Sequence, residues 1–124
     1  MANYLMHTHK IDAAVDEFDF LDRIKPSAIM GYFQDIAATH AVELGVGFDD
    51  LKVQGLFWVL NRLSAVIEKS PVIGEQITVT TYPHKPGTVD AIRDYIITDA
   101  SGNTLIRGTS RWCVLDISSK AVRR

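Results

Sequence analysis

The sequence predicts an α+β fold, with one long helix packed on an antiparallel sheet. Three observations predict it. Residues 26–44 carry apolar side chains at helical spacing, and from Phe57 onward the chain turns to branched, alternating stretches. Between two of those stretches stands "DASGN", a good hairpin turn. A helix must bury its apolar stripe, and a sheet is the partner the remaining residues can build.

The elements follow in order. "HKIDAAVDEF" contains strand-like stretches, and "DFLDRIKP" reads as a short loop. Pro26 suits the first turn of a helix, where its missing N–H costs nothing, and Gly45 is a natural stop after Leu44. "FDDLKVQG" reads as a loop or a single helical turn. "FWVLNRLSAVIEKS" is apolar and branched and ends at Pro71, while "GEQITVTTYPHK" alternates and is rich in Thr and Val. "VDAIRDYIITDA" and "NTLIRGTSRWCVLDI" flank the hairpin turn, and "PHKPG", with His84 and Lys85, reads as a bend at the sheet rim. One strand, the helix and then roughly four more strands make a sheet of about five, in a single domain over residues 1–124.

Composition narrows the function classes. With 47% hydrophobic and 23% charged residues in 124, the chain has the make-up of a soluble globular domain with one core. A net charge of −2 gives no basic footprint for nucleic acid, and the final Arg-Arg is too short for a polyanion site. No apolar run approaches the ~18 residues of a membrane span, and "MANYLMHTHK" lacks the apolar core of a signal peptide. The lone Cys113 has no internal disulfide partner and, within "RWCVLD", reads as a core residue rather than a reactive thiol. A cytoplasmic protein with no membrane or nucleic-acid partner is expected. His7 and His9 alternate like residues on one side of a strand and read as surface residues. Two histidines are a weak metal signal, so neither metal nor cofactor is expected.

The helix poses the sharpest question. At about 100° per residue, Ile29, Phe33, Ile36, Ala37, His40 and Leu44 share one apolar arc. His40 sits near its middle, Asp35 and Ala38 lie opposite, and Gln34 occupies the shoulder beside Met30 and Ala41. His40 should therefore face the sheet. Two readings stand: a neutral ring satisfied by one hydrogen bond in the core, or a polar member of an acyl pocket or active site. A buried polar group without a partner costs roughly 1–3 kcal/mol, so a partner is expected, and Asn61 and Arg62 on the next strand are candidates. Desolvation should also push the imidazole pKa below its usual ~6.5.

Several stretches go further. They are Gln34 and His40 on the helix, Trp58-Val59-x-x-Arg62, Pro71-x-x-Gly74-Glu75, Arg93-Asp94 before a strand, and Ser110-x-Trp112. In this order they resemble the N-terminal half of acyl-acyl-carrier-protein thioesterases. The resemblance implies the hotdog fold, a helix wrapped by a curled antiparallel sheet. It also implies hydrolysis of fatty acyl-acyl-carrier-protein or acyl-CoA thioesters, with release of the free fatty acid. That family usually joins two hotdog domains in one chain. Its Asp-x-Asn-x-His motif lies in the second half and does not occur here. The resemblance is thus to the half that mainly shapes the acyl pocket.

Thioester hydrolysis needs an activated nucleophile and donors for the developing oxyanion. Asp19 falls at the acidic position of the Asp-x-x-Gly loop of hydroxybenzoyl-CoA-type thioesterases, with Asp22 where that pattern has Gly. Alternatively, it is an ordinary turn residue or helix cap. Asp19, Gln34 and His40 are the candidate catalytic residues, and the helix N-terminus could polarise the thioester carbonyl. Gln34 could equally bond a neighbouring strand backbone. Met30, Phe33, Phe57, Trp58, Asn61 and Arg62 are the candidate substrate contacts, or else core. Arg93, Arg107 and Arg111 either meet the phosphate of a phosphopantetheine arm or are solvated and paired with Asp94 and Asp99. Two further functions remain open: a non-catalytic hotdog domain that binds acyl thioesters as a sensor or structural partner, and a hydroxyacyl dehydratase pairing His40 with Asp19. By alternation, Phe57, Val59 and Leu63 fall on one face of their strand and Trp58 and Leu60 on the other, so both faces are apolar. With an open sheet edge as well, a homodimer is expected.

Overall fold

The computed structural model describes residues 6–84 and 90–123. Strand β1 (His7–Asp12) leads through a 3-10 turn (Val15–Glu17) to helix α1 (Pro26–Glu43) and the short helix α2 (Phe48–Val53). Strands β2 (Leu56–Ile67), β3 (Gln76–Pro83), β4 (Asp90–Thr98), β5 (Thr104–Asp116) and the two-residue β6 (Val122–Arg123) follow. The main strands pair antiparallel in the order β1-β3-β4-β5-β2, with β6 added to β5. One long helix lies across one face of this sheet, which is the hotdog arrangement. The "PHKPG" bend runs into residues 85–89, outside the described residues.

Local chemistry sets the helix ends. Lys25 caps α1 in an extended conformation and Pro26 takes the first turn. At the other end Leu44 closes the last turn and Gly45 leaves with φ +80°, a conformation that suits glycine. Ile29, Tyr32, Phe33, Ile36, Ala37 and His40 are the buried positions of α1. That is the expected arc with Tyr32 added and without Leu44, which is half-buried at the C-terminal cap. Tyr32 tolerates burial because its hydroxyl donates to Glu17 Oε1 at 2.6 Å. "FDDLKV" is a true helix rather than a loop, started by Asp50 Oδ2 accepting from the Gly47 amide at 2.9 Å.

The register defines the face that the helix covers. His7, Thr81, Tyr95, Gly108 and Ala65 stand in one cross-sheet row, and His9, Val79, Ile97, Ile106 and Ile67 in the next. Phe33 of α1 lands on the first row and stacks on Tyr95 at 4.3 Å between centroids. Gly108 makes this possible, because a Cβ there would collide with the Phe33 ring. Between Leu60 and Arg62 the β2–β5 register shifts, so Asn61 is an extra residue in a bulge. The bulge returns Leu63 to the helix-covered face, where it packs on the core. Leu63 therefore shares a face with Leu60 and Trp58, not with Phe57 and Val59. Simple alternation misplaces it because a bulge resets the period.

Candidate functional site

His40 is completely buried, and its partner is Arg93 on β4 rather than Asn61 or Arg62. Arg93 Nη1 lies 2.8 Å from His40 Nδ1 and donates also to Thr81 Oγ1 at 3.3 Å. A guanidinium has only donors, so Nδ1 accepts and the ring carries its proton on Nε2. Thr81, itself buried, sends its hydroxyl proton to the Asp94 carbonyl at 3.0 Å. Asn61 and Arg62 cannot reach this point. Both are exposed at the β2 bulge, on the sheet edge opposite β1.

A second polar group adjoins the first along the same sheet face. Ser110 pairs directly with Arg93 across the β4–β5 ladder. Its Oγ accepts from Trp112 Nε1 at 2.9 Å and lies 2.7 Å from the Tyr95 hydroxyl. Burial pushes the Tyr95 phenol pKa up, against a smaller opposing effect of the Ser110 hydrogen bond. Beyond Arg93 and Ser110 the next row is Ala91, Trp112 and Leu60, all half-buried, with Trp58 beside them. Trp58 touches Trp112 edge-on at 6.4 Å and donates its indole N–H to the Val46 carbonyl at 2.8 Å. The helix-covered face thus grades from a sealed apolar core to a polar row of buried Ser110 and half-buried Arg93, and then to a half-buried row that includes Trp112.

The histidines of β1 belong to this region too, and they are not surface residues. Each is half-buried on the strand face that meets α1. His7 stacks on His40 at 5.5 Å and meets His9 edge-on at 4.8 Å, while its Nδ1 lies 2.8 Å from Glu43 Oε2. Burial lowers the His9 pKa, His7 lowers it further, and Asp35 partly opposes them. No group among the described residues has the makings of a metal site.

The other candidates are not brought together. Asp19 Oδ1 accepts the amides of Leu21 at 2.8 Å and Arg23 at 3.0 Å, folding its own loop. These bonds, that of Arg23 first, hold its carboxyl below the usual range. Asp22, at the position where the resembling pattern has Gly, has φ +60°, the left-handed region that glycine favours. Asp19 is engaged in the loop before α1, whereas His40 lies in the last turn of α1, about 21 Å by helix rise beyond Pro26 at its start. The dehydratase-like pairing of Asp19 with His40 therefore fails. Gln34 is exposed and forms no strand-backbone bond among the described residues, and Met30 is 41% exposed. Phe33 is sealed in the core, whereas Phe57 and Trp58 are half-buried on opposite faces of β2. Arg107 is paired with Glu68 at 3.0 Å, not with Asp94 or Asp99. Sequence reasoning set Arg93 among solvated or phosphate-binding arginines, named Ser110 only within a family motif, and passed over Thr81 and Tyr95. The signal available was parity: Arg93 and Tyr95 share a face, as do Ser110 and Trp112.

An antiparallel sheet with one long helix across its face defines the hotdog class. Within it, the chain belongs to the acyl-ACP thioesterase N-terminal domain family, whose model matches residues 4–124. The chloroplastic acyl-[acyl-carrier-protein] hydrolase FATB3 of Cuphea viscosissima is 29% identical over 103 residues, covering 77% of this chain and 25% of that protein. An acyl-ACP thioesterase of Bacteroides thetaiotaomicron superposes with a TM-score of 0.92 at 21% identity, over 96% of this chain and 49% of that one. A DHNA-CoA thioesterase of Staphylococcus aureus superposes with a TM-score of 0.86 at 19% identity, over 96% of this chain and 80% of that one. The chain thus spans a quarter of the plant relative's length and about half of the Bacteroides chain.

Proposed function

We propose that this chain is an acyl-binding hotdog unit of a thioester hydrolase that acts on fatty acyl-acyl-carrier-protein, or on acyl-CoA, and releases the free fatty acid. The observation that carries the reading is the family match across residues 4–124. The half-buried row of Ala91, Trp112, Leu60 and Trp58 supports it, since an acyl chain gains about 0.8 kcal/mol per methylene buried. His40 serves here as a positioning residue: fully buried, it acts through Arg93. Asp19 organises the loop ahead of α1, and Gln34 and Met30 belong to the exposed side of that helix. A non-catalytic acyl-binding domain is the second reading. It is favoured by one observation: the carboxylate of Asp19, the candidate base, is engaged by the Leu21 and Arg23 amides of its own loop.

The chain works as one hotdog unit, residues 1–124, and pairs with a second copy. β2 is 12 residues long, bonded on one side to β5 and unpaired on the other among the described residues. Val66 and Ile67 on that strand are exposed, as expected of an edge awaiting a partner. No helix among the described residues is long and apolar enough to cross a membrane. A cytoplasmic site of action fits the single cysteine, whereas the plant relative carries a chloroplastic name. The test is release of free thiol from acyl-acyl-carrier-protein and acyl-CoA thioesters of graded chain length. Turnover supports the hydrolase. Tight binding of the same thioesters without turnover supports the binding domain.

A further inference from the structure

We propose that Arg93 forms an anion site inside the fold, and that it takes the carboxylate of a long-chain fatty acid. Arg93 is a half-buried cation on the helix-covered sheet face. Arg23 and Arg107 have carboxylates within ion-pair distance, whereas Arg93 has none among the described residues. Its sequence neighbour Asp94 points to the other face, where it is engaged by His84 at 2.7 Å and Thr109 at 2.8 Å. The Nη1 of Arg93 is committed to His40 and Thr81. Its Nε and Nη2, the fork that grips two oxygens of one anion, have no acceptor among the described residues.

Three physical facts point to a carboxylate. Removing a charge from water is costly, and an anion that supplies the missing counter-charge in a partly desolvated site gains more than it would in water. His40 and Thr81 hold the guanidinium from one side, so the fork is oriented before a ligand arrives. The apolar row of Ala91, Trp112, Leu60 and Trp58 starts directly beside Arg93 and Ser110, so a ligand with an anionic head and an apolar tail matches both halves. Burial already disfavours the charged guanidinium, more than the charge on Tyr95 would restore it, so a bound anion would relieve this penalty. The inference deepens the proposed acyl-binding reading and rests on it for the tail only. A phosphate, as in a phosphopantetheine arm, shares the two-oxygen chemistry of the head.

The test is calorimetric titration of the wild-type chain, Arg93→Gln and Arg93→Lys with dodecanoate, dodecanol and phosphopantetheine. Thermal unfolding confirms that each variant is folded. The expected result is that wild type binds dodecanoate about tenfold or more tighter than dodecanol. Arg93→Gln should bring dodecanoate down to the level of dodecanol, and Arg93→Lys should restore only part of the difference, because an ammonium keeps the charge but not the fork. If neither variant folds, the Arg93 Nε–H resonance of wild type decides. Movement with dodecanoate and not with dodecanol supports the site, and no movement overturns it. Equal binding of dodecanoate and dodecanol also overturns it while leaving acyl binding intact. Arg93-dependent binding of phosphopantetheine alone replaces the carboxylate with phosphate, and so overturns the fatty-acid assignment. If neither dodecyl ligand binds, both the fatty-acid assignment and the acyl-binding reading fail.

Discussion

His40 lies 2.8 Å from a guanidinium nitrogen in a fully buried position. That contact fixes the tautomer, with Nδ1 accepting from Arg93 and the ring proton on Nε2. Imidazole nitrogen shifts typical of that tautomer would bear this out. His40→Ala should cost about 1–3 kcal/mol, because it leaves a cavity and strands an Arg93 donor, while His40→Gln should recover part of that through its amide oxygen. If the chain turns over thioesters, a folded His40→Gln should stay within about tenfold of wild type. A loss of about 10²-fold would instead make His40 a catalytic residue. Activity per folded molecule beside Asp19→Asn separates the two ends of the helix. His9 sets a pH dependence of stability. Its folded pKa lies below the unfolded 6.5, so the unfolded chain binds more protons between the two values. Stability should therefore be full above 6.5 and fall as pH drops through the folded pKa, and His9→Gln should flatten that slope in urea titrations.

Strands and turns carry their own tests. Gly108 stands where a side chain would strike the Phe33 ring and approach the Ser64 carbonyl at 2.9 Å. Gly108→Ala should cost about 1–3 kcal/mol, the usual scale of overpacking, and disturb the near-ultraviolet signal of the Phe33–Tyr95 stack. Asp22 holds φ +60° in the loop tied by Asp19. Asp22→Gly should therefore be tolerated within about 1 kcal/mol, whereas a β-branched Asp22→Val should destabilise clearly in the same unfolding assay. At this scale the sequence was legible where a local rule applied without interruption. Pro26 and Gly45 marked the ends of α1, and the alternation of "GEQITVTTYPHK" marked β3. It was not legible at Asn61. One extra residue flips every later side chain, and nothing in "LNRL" announces it.

For the whole molecule, the edge of β2 is the open question that solution measurements answer. A twelve-residue strand with one side unpaired among the described residues should recruit a second copy, so light scattering at micromolar concentration should give twice 13.8 kDa. A monomer would remove the dimer and leave the edge covered by something else. Charging that edge, for instance by Val66→Lys together with Ile67→Lys, should shift the scattering mass toward the monomer.

The sequence by itself determined the architecture: a helix with one apolar arc, a strand-rich remainder, and a set of short motifs whose order marks the family. It also determined that His40 must face the sheet, because helical periodicity is a property of neighbours in the chain. Only the tertiary structure decided what His40 meets. Arg93, 53 residues away, and His7 on the first strand converge on it through strand order and register. Those are set by how separate strands pair, and no local pattern encodes the pairing. Asp19 stayed with its own loop, and Arg93 has one committed side and a fork without an acceptor among the described residues.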